Sequence, residues 1–100
     1  MKFRQYGYTE KKIEVREMSM GSIVLTACQA LVKADRTDME IRIIDCTSGD
    51  VDRWAGVEGI MKHDWCADYR VNVYDMCVMH DNEKNYDYMK IVISDDVEEQ

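Results

Sequence analysis

Residues 20–34, MGSIVLTACQALVKA, carry the strongest structural signal in the chain. Their polar members recur at spacings of four, three and four residues, which places them on one stripe of an α-helix: Ser22, Thr26, Gln29 and Lys33. Apolar residues cover the remaining surface, so the pattern predicts a core helix that is buried on both flanks. Ser19 or Ser22 can cap its first turn, and Cys28 is interpreted as a small buried apolar side chain.

Alternation of polar and apolar residues predicts strands on both sides of this helix. Before it, an aromatic-rich strand is expected near residues 3–8 and an alternating one at 12–16. After it, residues 39–44 alternate as in a half-buried strand. Residues 69–79 and 89–94 have the same character, so the sheet is expected to contain four to five strands.

The last two strands are expected to form a long hairpin, because the polar run 81–85 between them has the composition of a hairpin loop. The apolar parity of the first of these strands switches near Asp75. Its apolar residues have odd numbers up to Val73 and even numbers from Tyr74 onward. The switch predicts either a β-bulge or a second half that is covered on both faces.

Residues 51–62 predict a short second helix. Val51, Trp54, Val57 or Glu58, and Met61 fall near helical spacing, and Asp50 can cap the first turn. Two glycines inside this range weaken the helix, each by about 1 kcal/mol relative to alanine.

Together these elements predict one small α+β domain over residues 1–100, with the element order ββαβ(α)ββ. An antiparallel sheet would carry the core helix on one face, in two layers. Residues 95–100 form an acidic tail that is expected to be frayed.

The composition predicts a soluble intracellular protein. An apolar fraction of 46% and a charged fraction of 33% are typical of a folded domain. No apolar run approaches the roughly 20 residues that a spanning helix needs, and no apolar leader begins the sequence. The four cysteines are expected to be reduced thiols. We therefore expect a cytoplasmic location and no membrane partner.

The net charge of -7 is unevenly distributed. Residues 1–44 carry eight Lys/Arg and six Asp/Glu, a net of +2, whereas residues 45–100 carry five Lys/Arg and fourteen Asp/Glu, a net of -9. Binding of nucleic acid needs a basic surface, because the affinity comes from neutralising phosphates and releasing their counterions. Direct nucleic-acid binding is therefore not expected, and a basic protein surface is the expected partner.

Both histidines and two of the four cysteines form the pattern H-x2-C-x10-C-x2-H, which consists of His63, Cys66, Cys77 and His80. Thiolate and imidazole are the donors that structural zinc prefers, so a zinc-stapled domain is one hypothesis. Strand parity opposes it, because Cys77 and His80 are three residues apart in a predicted strand and would point to opposite faces. The favoured interpretation is buried thiols, with no metal or other cofactor.

A nucleophilic thiol is a further hypothesis. Cys66 could form a thiolate–imidazolium pair with His63 or His80, because a neighbouring imidazole lowers the pKa of a thiol. No segment typical of a cysteine-enzyme family surrounds either cysteine of the pattern.

Three carboxylates surround the predicted turn at residues 46–49: Asp45, Asp50 and Asp52. They do not fit a calcium-binding loop, because the glycine precedes the second acid and no glutamate stands at the final ligand position. A solvated turn is the favoured interpretation.

The C-terminal hairpin and tail mix carboxylates with tyrosines: Glu83, Tyr86, Asp87, Tyr88, Asp95 and Asp96. Carboxylates speed the encounter with a basic surface, and aromatic rings can anchor on it. We therefore predict a non-enzymatic protein-binding module whose acidic C-terminal half docks on a basic protein. An inhibitor that mimics nucleic acid and occludes a nucleic-acid-binding site would be such a module. The zinc-binding domain is the alternative, and a cysteine-dependent enzyme comes third.

Overall fold

The computed structural model describes residues 16–65 and 69–95, and these form a five-stranded sheet with two helices. In chain order the elements are β1 (Arg16–Ser19), α1 (Met20–Lys33), β2 (Glu40–Asp45), β3 (Val51–Trp54), α2 (Val57–Met61), β4 (Arg70–Asp81) and β5 (Tyr86–Ser94). The predicted α+β fold, with one core helix and one short helix, is confirmed. Neither helix of the described ranges has the length and apolar character needed to cross a bilayer.

Several predictions fall outside the described residues. These are the strand near residues 3–8, nearly all of the strand at 12–16, the side chain of Cys66, and the tail beyond Asp95, which includes Asp96.

Helix α1 begins and ends with defined caps. At its start the Ser19 hydroxyl accepts a hydrogen bond from the backbone N–H of Ser22, at 3.2 Å. At its end Asp35 adopts a left-handed conformation with φ 58°, and the chain then bonds back to the last turn. The N–H groups of Asp35 and Arg36 donate to the carbonyls of Val32 and Leu31, at 3.1 and 2.8 Å. These two bonds satisfy carbonyls that would otherwise lack a partner.

The burial of α1 is narrower than the sequence predicts. The predicted polar stripe is exposed, and Cys28 lies in the core as expected. The prediction of burial on both flanks is wrong, because Leu25 is 46% exposed and Val32 is 57% exposed. Only one face of the helix has the sheet and α2 to pack against, so apolar residues on the far side stay in solvent.

The strands lie in the order β1-β4-β5-β2-β3. Three of the four pairs are antiparallel, but β2 and β5 are parallel, so the sheet is mixed instead of wholly antiparallel. A parallel pair needs a long connection, and here β3, α2 and β4 lie between the two strands in sequence. Strand β5 thereby joins the β1–β4 half of the sheet to the β2–β3 half.

The predicted helix over residues 51–62 is shorter than expected, because its first part is the strand β3. Val51 and Trp54 lie in register with Ile44 and Ile41 of β2. The three-residue spacing that suggested a helix is therefore part of a hairpin, which turns through Gly49 at φ 82°. Pairing with β2 satisfies the backbone groups of β3, whereas the glycines disfavour an extended helix.

Gly56 limits the start of α2. A β-carbon at this position would lie 2.8 Å from the backbone oxygen of Thr37, so a side chain would force the two segments apart. The N–H of Val57 donates to that same carbonyl at 2.9 Å. The close approach fixes α2 against the loop that follows α1, and Ile60 of α2 is fully buried.

The β4–β5 hairpin contains the predicted β-bulge. Val73 pairs with Ile93 and Asp75 pairs with Val92, which leaves Tyr74 as the extra residue. The bulge keeps apolar residues of both halves of β4 on the helix face, where the core forms. The predicted loop is confirmed, because the strands end at Asp81 and restart at Tyr86.

Candidate docking surfaces at the two ends of the hairpin

The residues predicted to bind a partner lie at opposite ends of β5. Glu83, Tyr86, Asp87 and Tyr88 lie in or beside the 82–85 loop, and this region is called the loop end. Asp95 follows the far end of the strand, and its surroundings are called the cavity end. Nine residues of β5 separate the two ends by roughly 26 Å, at about 3.3 Å per residue. One small contact cannot therefore include all of these residues.

On the side of the sheet opposite the helices, the loop end is organised around Arg42. Its guanidinium bonds to Glu40 and to Asp81, at 2.7 Å in each case. It also lies 3.8 Å from the centroid of the Tyr88 ring, and the Tyr86 hydroxyl is 3.5 Å away. Only 8% of Arg42 is exposed. Glu40 and Asp81, together with both tyrosines of the predicted docking surface, are thus engaged with one buried arginine.

Asp81 also shapes the loop itself. One of its oxygens accepts hydrogen bonds from the backbone N–H groups of Glu83 and Lys84, at 2.9 and 3.0 Å. The bond from Arg42, assisted by these N–H groups, lowers the pKa of Asp81 to about 2. Asp81 is therefore ionised and internally satisfied at neutral pH.

On the helix side, the loop end contains a second charged cluster, formed by His80 and Asp87. Nδ1 of His80 lies 2.8 Å from Asp87, and Nε2 lies 3.2 Å from the side-chain oxygen of Asn85. Arg36, just beyond the end of α1, lies 3.4 Å from the other Asp87 oxygen. The bond to Asp87 raises the pKa of His80, and the bond to Asn85 adds to this against the opposing effect of desolvation. Asp87 is thus engaged by two side chains of its own fold, Arg36 and His80.

The cavity end contains a cavity of about 180 Å³ beside the start of α1. Its floor is apolar and consists of buried core side chains, namely Met20, Ile43 and Ile93. Two aromatic side chains, Trp65 and Tyr69, line it as well. Its polar lining comes from the β2–β3 hairpin: Asp45, Ser48, Asp50 and Asp52. The cavity therefore combines an apolar floor, aromatic walls and a carboxylate rim.

The carboxylates at the cavity end differ from those at the loop end in their partners. Among the described residues, no lysine, arginine or histidine forms an ion pair with any of the four: Asp45, Asp50, Asp52 and Asp95. The Tyr69 hydroxyl donates to Asp95 at 2.7 Å. That bond, together with burial and the charges of Asp95 and Asp45, raises the pKa of Tyr69 to about 12. The same bond, with help from Thr47, lowers the pKa of Asp95.

An aromatic cluster holds Trp65 in place. The rings of Trp54, His63 and Trp65 contact one another, with centroid distances of 5.2, 5.6 and 4.5 Å. The indole N–H of Trp65 donates to the backbone oxygen of Ile60 at 2.9 Å. Edge-to-face ring contacts of this kind prefer defined angles, so the Trp65 ring is oriented before any ligand arrives.

The four residues of the zinc pattern are not brought together among the residues that can be described. His63 packs against the rings of Trp54 and Trp65, and His80 bonds to Asp87 and Asn85. Cys77 lies in register with Lys90, and its position three residues before His80 puts the two side chains on opposite faces. No group of three metal-ligating side chains occurs in residues 16–65 and 69–95. Cys66 lies outside these ranges.

The buried thiols have the opposite electrostatics from a nucleophile. Burial raises the pKa of Cys28. Burial and the nearby carboxylate of Asp75 raise the pKa of Cys77. Since the thiolate is the attacking form, both side chains are held in the less reactive state at neutral pH.

Comparisons with protein-family models, with curated proteins and with solved structures found no match. Function is therefore inferred from the geometry and charge of the two ends.

Of the residues at the cavity end, the sequence predicts a docking role for Asp95 alone. It favours a solvated turn for Asp45, Asp50 and Asp52 and indicates no role for Trp65 or Tyr69. One signal was present, because a hairpin over residues 40–54 would bring the three carboxylates to one sheet end. The prediction of a helix over 51–62 concealed it.

Proposed function

We propose that this protein is a non-enzymatic binding module that docks its acidic surface on a basic protein partner. The contact centres on the cavity end, where Asp50, Asp52 and Asp95 are exposed beside Tyr69. The single observation that carries the proposal is that these carboxylates have no cationic partner among the described residues, whereas those of the loop end mostly do. An unneutralised carboxylate retains its field for an incoming cation.

Aromatic side chains at the same place support a docking role. Tyr69 is 42% exposed, and Trp65 is half buried beside it. Tyrosine and tryptophan supply large contact areas at low entropic cost and dominate binding energy in many interfaces. Carboxylates that accelerate the encounter and rings that hold the complex therefore occur together at the cavity end.

The partner we propose is a protein whose basic surface binds nucleic acid. Such a surface is selected to neutralise phosphates, so exposed carboxylates can occupy it in their place. A module bound there would block nucleic acid and act as an inhibitor. The predicted contacts at the loop end, Glu83, Tyr86, Asp87 and Tyr88, stay a prediction; if they contribute, they do so in a second contact region. Asp96 lies outside the described residues and also stays a prediction.

The proposal is tested by reversing charge at the cavity end. The protein is used to isolate a basic partner from its native host, and the affinity of the purified pair is then measured at several salt concentrations. Asp50→Lys/Asp52→Lys is expected to weaken binding by about tenfold or more, because like charges then face each other. The wild-type affinity should fall as salt rises, and nucleic acid should compete.

The matched control is Asp38→Lys/Glu58→Lys, which changes the net charge equally at exposed positions remote from the cavity. Its affinity should stay close to that of the wild type. Equal losses in both variants would mean that only net charge matters, and no loss in either would remove the acidic docking surface. A Glu83→Lys variant measures how much the loop end contributes to the affinity for the partner.

A further inference from the structure

The cavity at the cavity end has the lining that a lysine side chain requires. Its floor is formed by three buried apolar residues, Met20, Ile43 and Ile93. This floor could cover the stem of a lysine side chain, which consists of four methylene groups. Asp50 and Asp52 also line the cavity and are exposed, so an ammonium group on the solvent side of the cavity would have carboxylate partners. Lysine buries its stem along apolar surface and keeps its charge near polar groups, so its two parts match these two regions.

Aromatic walls add attraction for a cation. Trp65 and Tyr69 both line the cavity, and the Trp65 ring is fixed by the aromatic cluster described above. A cation near the face of such a ring is attracted by the ring quadrupole, more strongly when water is excluded. A neutral side chain of the same shape would gain neither this attraction nor that of the carboxylates.

The volume of the cavity is suited to a single side chain. About 180 Å³ corresponds to roughly six water molecules of liquid volume. Pockets for drug-sized ligands are commonly about 300–1,000 Å³. The cavity is therefore too small for a nucleotide or a comparable metabolite, but it is large enough for an alkylammonium chain.

The arrangement does not suit a bare metal ion. No three metal-ligating side chains within the described ranges are close enough together to share an ion. Spread carboxylates around an apolar floor instead match a cation that has its own apolar body. At the loop end, a groove of about 420 Å³ is lined by charges of both signs, including Arg36 and Asp87. That groove therefore does not favour a cation over an anion.

We infer that this cavity binds one lysine side chain of a protein partner. The inference rests on the proposed function only in assigning the lysine to a docked protein, since the cavity chemistry stands by itself. The lysine inserts its stem over Ile43 and Ile93, and its ammonium group lies among the carboxylates beside Trp65.

The test titrates the whole protein, labelled with ¹⁵N, with Nα-acetyl-lysine amide while amide and indole signals are recorded by NMR. Saturable shifts are expected for the Trp65 indole N–H and for the backbone N–H groups of Ile43 and Asp52. The N–H groups of Glu83 and Lys84, at the loop end, should not move. Nα-acetyl-norleucine amide is the matched neutral probe, and Nα-acetyl-arginine amide is the matched cationic one.

Binding of lysine amide at least about fivefold tighter than the norleucine amide, as one ion pair would give, supports the inference. Equal binding of the two would reduce the cavity to an apolar one and overturn it. Tighter binding of the arginine amide would overturn the assignment to lysine. An absence of saturable shifts would overturn the site altogether.

Two variants locate the interaction. Asp52→Asn should weaken lysine-amide binding by about two- to fivefold, because it removes one exposed carboxylate. Asp38→Asn makes the same chemical change away from the cavity and should leave the affinity unchanged. Their spectra also establish that each variant is folded.

The inference and the proposed function can fail separately. If lysine amide binds but Asp50→Lys/Asp52→Lys does not affect the partner complex, the cavity is real and the docking proposal fails. If the reversed variant loses the partner but lysine amide does not bind, docking stands and the lysine cavity fails.

Discussion

The loop end and the cavity end contain the same residue types and use them differently. Each has at least two aspartates and two aromatic side chains near one end of strand β5. At the loop end a buried arginine holds two carboxylates and lies over Tyr88. At the cavity end the exposed Asp50 and Asp52 have no such partner in the described part of the chain. The first group is engaged within the fold, whereas the carboxylates of the second are exposed to solvent.

The difference arises from where the cations lie. Strands β2 and β4 lie on either side of β5 in the sheet. The side chain of Arg42 on β2 can therefore reach across β5 to Asp81 at the end of β4. Arg36 reaches Asp87 because α1 ends above that part of the sheet. No comparable cation stands beside the β2–β3 turn among the described residues. Counting acidic residues along the sequence therefore overstates the free charge of the loop end.

Removing Arg42 should produce the largest loss of stability. Arg42→Met leaves Glu40 and Asp81 without their cation and removes the contact with Tyr88. We expect the free energy of unfolding to fall by about 2–4 kcal/mol, somewhat below the cost of breaking a wholly buried ion pair. Urea denaturation measures it. Arg53 pairs with Arg42 across the β2–β3 hairpin and is exposed. The control Arg53→Met should therefore change stability little. Similar losses in both variants would contradict the stabilising role given to Arg42.

The His80–Asp87 pair should make stability depend on pH. The folded-state pKa of His80 lies above its unfolded value of about 6.5, so protonated His80 stabilises the fold. This contribution is complete below about pH 6.5 and is lost as pH rises through the folded pKa. Asp87→Asn should lower the pKa of His80, as read from its ring-proton NMR signals, and flatten the decline in stability. An unchanged His80 pKa in that variant would contradict the role given to Asp87.

A smaller effect is expected from Tyr69→Phe at the cavity end. The change removes the hydrogen bond to Asp95 but retains the ring, so the pKa of Asp95 should rise toward its usual range. Because the folded pKa of Asp95 is lowered, its contribution to stability is present above about pH 4 and is lost as pH falls. Carboxyl NMR titration measures the shift. If the Asp95 pKa does not move, the bond does not persist in solution.

The smallest effect on stability should come from Asp52→Asn. This exposed carboxylate makes no ion pair among the described residues, so we expect the free energy of unfolding to change by no more than about 0.5 kcal/mol. The change should be toward higher stability, because the substitution removes repulsion between neighbouring carboxylates. The measurement is the same urea denaturation. A loss comparable to that of Arg42→Met would mean that the cavity end is also part of the stabilising charge network.

Local patterns predicted the elements whose residues decide their own conformation. The stripe in residues 20–34 predicted α1, and the parity switch near Asp75 predicted the bulge that the sheet contains. The zinc hypothesis was weakened by the same parity reasoning. The prediction failed at β3, where a three-residue spacing between Val51 and Trp54 is compatible with either a helix or a strand.

The sequence by itself determined the fold class, the core helix, the long hairpin with its loop, and the excess of negative charge in the second half. These follow from periodicity and composition, which are local properties of the chain. Only the tertiary structure decided that β2 and β5 run parallel, and that Arg42 neutralises Asp81 across 39 positions. It also decided that the carboxylates around the cavity have no ion-pair partner among the described residues. Charge neutralisation depends on distances in space, and strand order sets those distances.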